Sequence, residues 1–125
     1  MKLIKLRDQL FVYRLKSLEG LELQREPSGH NSIFSLSVTG DELSLVTSAQ
    51  DSLDVQHVEG PWVGYRVEGT LDFGLTGILH SLTGPLAKAN ISVFAISTFD
   101  TDYLLVRSDE AIEAESVWSS SGVEF

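Results

Sequence analysis

The fold is decided by Ile91-Ser92-Val93-Phe94-Ala95-Ile96-Ser97-Thr98-Phe99-Asp100-Thr101-Asp102-Tyr103-Leu104-Leu105-Val106. Up to Thr98 it is a nearly continuous apolar run bounded by turn residues, the pattern of a strand buried on both faces. Asp100-Thr101-Asp102 makes a turn, and Tyr103 to Val106 returns as a second strand. Upstream, Ile78, Leu79, Leu82, Leu86 and Ala89 recur on one side of a helix. Pro85 lies within that pattern and is expected to remove one backbone hydrogen bond and bend the helix. Asn90 suits the left-handed stop at its end. Before the helix, Trp62 to Val67 alternates as a strand. Downstream, Ser108 is placed to cap a second helix, with Asp109 and Glu110 against its dipole. Ala111, Ala114 and Trp118 share one face of that helix, Gly122 ends it, and Val123 to Phe125 is a candidate short last strand. Residues 61–125 therefore read β-α-β-β-α-β. This is the ferredoxin-like order, with two helices over one face of an antiparallel sheet.

Residues 1–60 read as mostly β. Leu3 to Leu6 and Leu10 to Leu15 form a first strand pair, and Glu19 to Asn31 is a polar loop. Ile33 to Val38 and Leu43 to Val46 alternate strictly on either side of Thr39-Gly40-Asp41-Glu42, a strong hairpin pattern. Asp51 to Gly60, acidic and polar, is expected to connect the halves. At an offset of sixty residues, Phe34 falls on Phe94, Ser37 on Ser97, Glu42 on Asp102, Leu45-Val46 on Leu105-Val106 and Ser48 on Ser108. Duplication and a shared β-composition both account for the echo. The chain is thus read as α+β: a ferredoxin-like βαββαβ unit preceded by a shortened, mostly β unit.

Three stretches carry a resemblance: Leu71 to Leu79, Pro85-Leu86-Ala87, and Ile91 to Val106. They resemble the ACT-domain branch related to the CASTOR-type arginine sensors, closely over residues 62–108. The likeness is thinner in the first half, at Gly40-Asp41-Glu42-Leu43-Ser44-Leu45-Val46. It implies tandem ACT-like subdomains, a degenerate one at 1–60 and an ACT domain at 61–125. It also implies amino-acid sensing, dimerisation through sheets or helices, and no catalysis. Asn90 stands where relatives commonly have glycine, and the closeness of the last helix to Phe125 leaves room for only a short final strand.

Composition narrows the partners. Eighteen acidic against nine basic residues give a formal net charge of −9. Such a surface repels phosphate backbones and anionic headgroups, so neither nucleic acid nor membrane is expected as a partner. There are no cysteines, which excludes disulfides, thiolate metal sites and cysteine nucleophiles. His30, His57 and His80 lack metal-ligand spacing, and no Gly-x-Ser-x-Gly elbow or Gly-x-Gly-x-x-Gly loop is present. No cofactor, metal or catalytic group is therefore expected. Met1 to Lys5 is too short and too charged for a signal peptide, and a cytoplasmic location follows as the expectation.

The candidate ligand residues fall in three places. Asp72, Phe73, Gly74, Leu75, Thr76, Gly77 and Ile78 lead into the first helix, where unpaired amides and the dipole favour an anion. A free amino acid's carboxylate suits those amides, and Asp72 can hold its ammonium. Equally, Asp72 or Thr76 can serve as a plain cap, with the glycines making a turn. Ser97, Thr98, Phe99 and Asp100 end the strand at a turn that can read a cationic side chain or an α-amino group, or merely bond its own backbone. Ser44 occupies the echoing position in the first half and can close the pocket from that side, or be an ordinary strand serine. The expectation is a non-catalytic module that binds a free amino acid or similar small metabolite and forms a homo-oligomer. The alternative is a ligand-free dimerisation or docking module.

Overall fold

The computed structural model describes residues 1–23, 31–69 and 76–125. Among them the strands are β1 (Leu3–Lys5), β2 (Leu10–Leu15), β3 (Ser35–Val38), β4 (Leu43–Thr47), β5 (Val55–Val67), β6 (Phe94–Ser97) and β7 (Asp102–Arg107). The helices are α1 (Ile78–Lys88) and α2 (Ala111–Ser120), the latter entered through a 3₁₀ turn at Ser108–Glu110. All strands pair antiparallel in a curled sheet of order β3-β4-β2-β5-β7-β6, with β1 also on β5.

β5 organises this sheet, and it corrects two expectations. The supposed connector is strand from Val55 onward, because Val55 to Glu59 pairs with Leu15 to Val12 while its polar side chains remain on the surface. Nor do β1 and β2 pair with each other. Both lie on the same edge of β5, Leu3 opposite Val67 and Leu10 opposite Trp62, so they are one strand interrupted at residues 6–9. The interruption is packed: Leu6 donates its amide to the Gly64 carbonyl at 2.8 Å, and the Leu6 and Leu10 side chains fill the space that a Cβ on Gly64 would need.

Two helices cover one face of the sheet. Leu82 and Leu86 of α1 and Ala111, Ala114 and Trp118 of α2 pack on Leu3, Tyr65, Val67, Leu104 and Val106. Burying each of the two leucines contributes roughly 1.5–3 kcal/mol. Both helices end in the same hydrogen-bonded reversal. At α1, the Ile91 amide donates to Leu86 O and that of Asn90 to Ala87 O, with Asn90 at φ 58°; at α2, Val123 donates to Trp118 O and Gly122 to Ser119 O. Asn90 and Gly122 therefore stop the helices as their residue types suggested.

Three further expectations change. β6 is shorter than Ile91 to Thr98 and half-open, because it is an edge strand; Ile91 is buried as the residue that closes the α1 cap. Ser108 begins the 3₁₀ turn and makes no capping bond, since that turn stands between it and α2. The last strand is reduced to one parallel bridge, Glu124 to Lys2, because β1 already occupies the adjoining edge of β5.

A polar network locks α2 to the sheet. The Tyr65 hydroxyl donates to Glu115 Oε2 at 2.5 Å, and Lys5 Nζ lies 2.8 Å from the same oxygen. Burial and the Glu115 carboxylate push the Tyr65 phenol up, so it remains a neutral donor. Burial raises the Glu115 carboxyl, but the bonds from Lys5 and Tyr65 outweigh it and hold the group below its ordinary value of 4.5. A depressed folded value means stability that is present above the unfolded value and lost as pH falls through the folded one. Glu115→Gln should therefore be less stable than the parent at neutral pH, and the gap should narrow below about pH 4.5. Urea titrations at stepped pH check this.

Candidate functional site

The β3–β4 hairpin separates apolar from hydroxylated faces. Leu36, Leu43 and Leu45 pack with Tyr13 and Leu15, whereas Ser35, Ser37, Ser44 and Val46 line the opposite side. Ser37 pairs with Ser44 and Ser35 with Val46 across the ladder, which places these side chains side by side. The Thr39 hydroxyl fixes the turn by accepting the amides of Asp41 and Glu42 at 3.2 and 3.0 Å.

The β6–β7 hairpin faces it. Phe94, Ala95, Ile96 and Ser97 form the other wall of a groove of about 320 Å³, shared with Ser35, Ser37, Ser44 and Val46. Its floor continues into an apolar cluster that holds Val46, Phe94, Ile96, Leu105 and Trp62. The Trp62 ring meets Phe94 edge-on at 6.2 Å, and its buried indole N–H has no hydrogen-bond partner among the described residues. Both walls are edge strands, β3 at one end of the sheet order and β6 at the other.

Backbone groups at these edges are available by geometry. Thr39 donates its amide to Glu42 O at 3.0 Å and Thr98 to Thr101 O at 2.9 Å, which makes these the hydrogen-bonded pairs. Alternation along an antiparallel ladder then turns the amides and carbonyls of Leu36, Val38, Ala95 and Ser97 away from their partner strands.

Charged side chains of the same sheet pair with their neighbours. Ser97 Oγ donates to Asp102 Oδ1 at 2.6 Å. Arg14, cross-strand neighbour of Ser44, donates to Glu42 Oε2 at 3.2 Å, to Gln56 Oε1 at 3.1 Å and to Asp41 O at 3.0 Å. His57 Nε2 lies 2.9 Å from Glu59 Oε1, and that bond holds the Glu59 carboxyl below its usual value. Arg107 stacks 4.7 Å from the Trp62 ring centre.

Of the residues singled out from the sequence, Ser44 and Ser97 come together in the groove. Thr98, Phe99 and Asp100 sit in the turn beyond it. There the Thr98 hydroxyl bonds Thr101 within the turn, and the buried Thr101 hydroxyl donates to Val67 O at 2.9 Å, tying the turn to the end of β5. Thr76 is exposed; Gly77, at φ 78°, is the N-cap of α1 and makes no side-chain cap bond; Ile78 packs on the helix–sheet core. Asp72, Phe73, Gly74 and Leu75 lie outside the described residues. Sequence reasoning missed Ser35, Ser37 and the β6 backbone. The available signal was the outward face of the first hairpin, which carries serines where a solvated strand usually carries charges. Among the described residues, no group of three or more His, Asp and Glu side chains could hold a metal, and no helix is long and apolar enough to cross a membrane.

Residues 57–117 match the ACT_7 family model, described as an ACT domain. The human protein named putative protein CASTOR3P is 30% identical over 86 residues, covering 58% of this chain and 53% of that one. The human cytosolic arginine sensor for mTORC1 subunit 1 is 33% identical over 110 residues, covering 82% of this chain and 33% of the sensor. The chain is an ACT-domain protein related to CASTOR. It spans about half of the first of these curated relatives and a third of the second. A crystal structure of a protein from Agobacterium tumefaciens is similar to this ACT-domain protein throughout, with a TM-score of 0.75 at 29% identity, covering 98% of this chain and 90% of that one. A protein of unknown function from Vibrio cholerae, titled a possible transport protein, shares the fold at 17% identity and a TM-score of 0.61, with 96% and 88% of the two chains covered.

Proposed function

We propose that this ACT-domain protein is a non-catalytic, cytosolic sensor that binds an amino acid or similar small metabolite and reports its occupancy to a second copy or a partner protein. One observation carries the reading: Ser44 from the first half and Ser97 from the second line a single groove between the two strands that end the sheet order of the described residues. We further propose that residues 1–60 and 61–125 are two ACT-like units, the second ferredoxin-like, which meet through β5. A ligand between β3–β4 and β6 touches both halves, so its binding favours one packing of the halves over another by the difference in affinity. Relatedness to a protein named as an arginine sensor supports small-molecule sensing. Asp72 to Ile78, Thr98, Phe99 and Asp100 remain proposed ligand residues, the amides that lead into α1 being suited to an anion.

Thermal-shift and calorimetric screening of the common amino acids with the intact chain tests this. At least one is expected to raise the melting temperature saturably and to release heat. Silence from all of them at millimolar concentration would end the sensor reading. A second reading, assembly without ligand, is favoured by the two open edges β3 and β6, which offer backbone groups to another strand. Sedimentation that shows a dimer indifferent to every amino acid would select it.

A further inference from the structure

Resting on the groove as the ligand site, we infer that it takes a small neutral amino acid, held by its own ammonium and carboxylate, and discriminates against basic and acidic ones. The walls present three hydroxyls, Ser35, Ser37 and Ser44, on the side of Val46, Phe94 and Ile96, and none of the described lining residues is ionisable. A hydroxyl both donates and accepts, so it serves either end of a zwitterion. The outward amides and carbonyls of Ala95 and Ser97 add the donors and acceptors of a strand edge, which match a ligand's main-chain groups rather than a particular side chain.

The neighbouring charges are already engaged. Glu42 holds Arg14 at 3.2 Å, and Asp102 accepts the Ser97 hydroxyl at 2.6 Å. A guanidinium or second ammonium would then enter a polar but uncharged slot without a partner, and a side-chain carboxylate would meet hydroxyls alone. Even partial loss of hydration without a counter-charge disfavours such a group. The floor favours the opposite kind of side chain, since Phe94 braced by Trp62 offers an aromatic surface to methyl or methylene groups. Volume agrees: about 320 Å³ is near the lower end of small-molecule sites.

The test uses the intact chain and two panels in parallel calorimetry, one of alanine, serine, threonine, valine and leucine, the other of arginine, lysine, aspartate and glutamate. At least one neutral amino acid should bind, and every charged one should bind at least about ten-fold more weakly. Ser37→Ala and Ser44→Ala should each weaken the neutral ligand by roughly three- to ten-fold, the effect of one lost hydrogen bond. Arginine, lysine, aspartate or glutamate binding more tightly than every neutral amino acid would overturn the class assignment, yet leave the sensor reading standing. Neutral binding untouched by both serine substitutions would overturn the groove as its seat. Binding by nothing in either panel would remove the sensor reading and this inference together.

Discussion

Trp118→Ala is expected to lower unfolding stability by about 3–5 kcal/mol, the range for removing a large aromatic from a core. Trp118 is fully buried between the two helices and the sheet. Its ring meets Tyr65 edge-on at 4.9 Å, and its indole N–H donates to Leu82 O of α1 at 2.8 Å. One side chain thus joins α2, α1 and β5, and alanine leaves a cavity where they meet. Against a total of ~5–15 kcal/mol for a domain, the loss is a large fraction of stability. Trp118→Phe separates the terms: it keeps most of the ring packing and gives up the bond to Leu82, a change of about 1 kcal/mol. Urea unfolding followed by circular dichroism measures both. A Trp118→Ala protein as stable as the parent would mean that the helices are held to the sheet by other contacts.

Gly20→Ala should be the most damaging exchange in the first half, at roughly 2–4 kcal/mol from combined backbone strain and collision. Gly20 has φ 76°, a conformation that costs side chains other than glycine's, and a Cβ there would overlap the Ser52 carbonyl oxygen, a backbone atom that cannot swing away. Here two loops lie directly against each other: Ser52 Oγ donates to Gly20 O at 2.9 Å, Ser17 Oγ to Asp54 Oδ2 at 2.7 Å, and the Lys16 amide to Asp54 O at 2.8 Å. Leu21 and Leu53, carried by those loops, pack on Tyr13, Leu15 and Leu45 beneath the β3–β4 hairpin. Forcing the loops apart should expose that cluster and loosen the serine wall of the groove. The melting temperature should fall, and hydrogen exchange should accelerate in β3 and β4 while α1 and α2 stay protected. Unchanged exchange in β3 and β4 would show that the loops do not support the hairpin.

Local patterns made much of this architecture legible. The periodicity of Ile78, Leu82 and Leu86 marks α1, and Asn90 and Gly122 mark where the helices stop, since each effect acts within a few residues. The alternation from Ile33 to Val46 gives the first hairpin and its serine face. Pairing between distant strands was not legible. Val55 to Glu59 reads as a linker because nothing local distinguishes a polar strand with an exposed face from a loop, and β1 and β2 read as partners because adjacent strands usually are. Ser35 and Ser37 could not be assigned to a site for the same reason, as their facing wall lies about sixty residues away at Phe94 to Ser97.

The amino-acid sequence by itself determined the acidic surface, the C-terminal stops of the helices, the two hairpins and the relationship to the ACT family. Those follow from side-chain chemistry read over short spans. The tertiary structure alone decided that β5 runs through the middle and gathers β1, β2 and β7. It also decided that the sheet curls until β3 and β6 face one groove. Sheet pairing and curvature depend on which hydrogen-bonding edges and apolar faces find each other across the whole chain, and that is a property of the assembled sheet rather than of any segment in it.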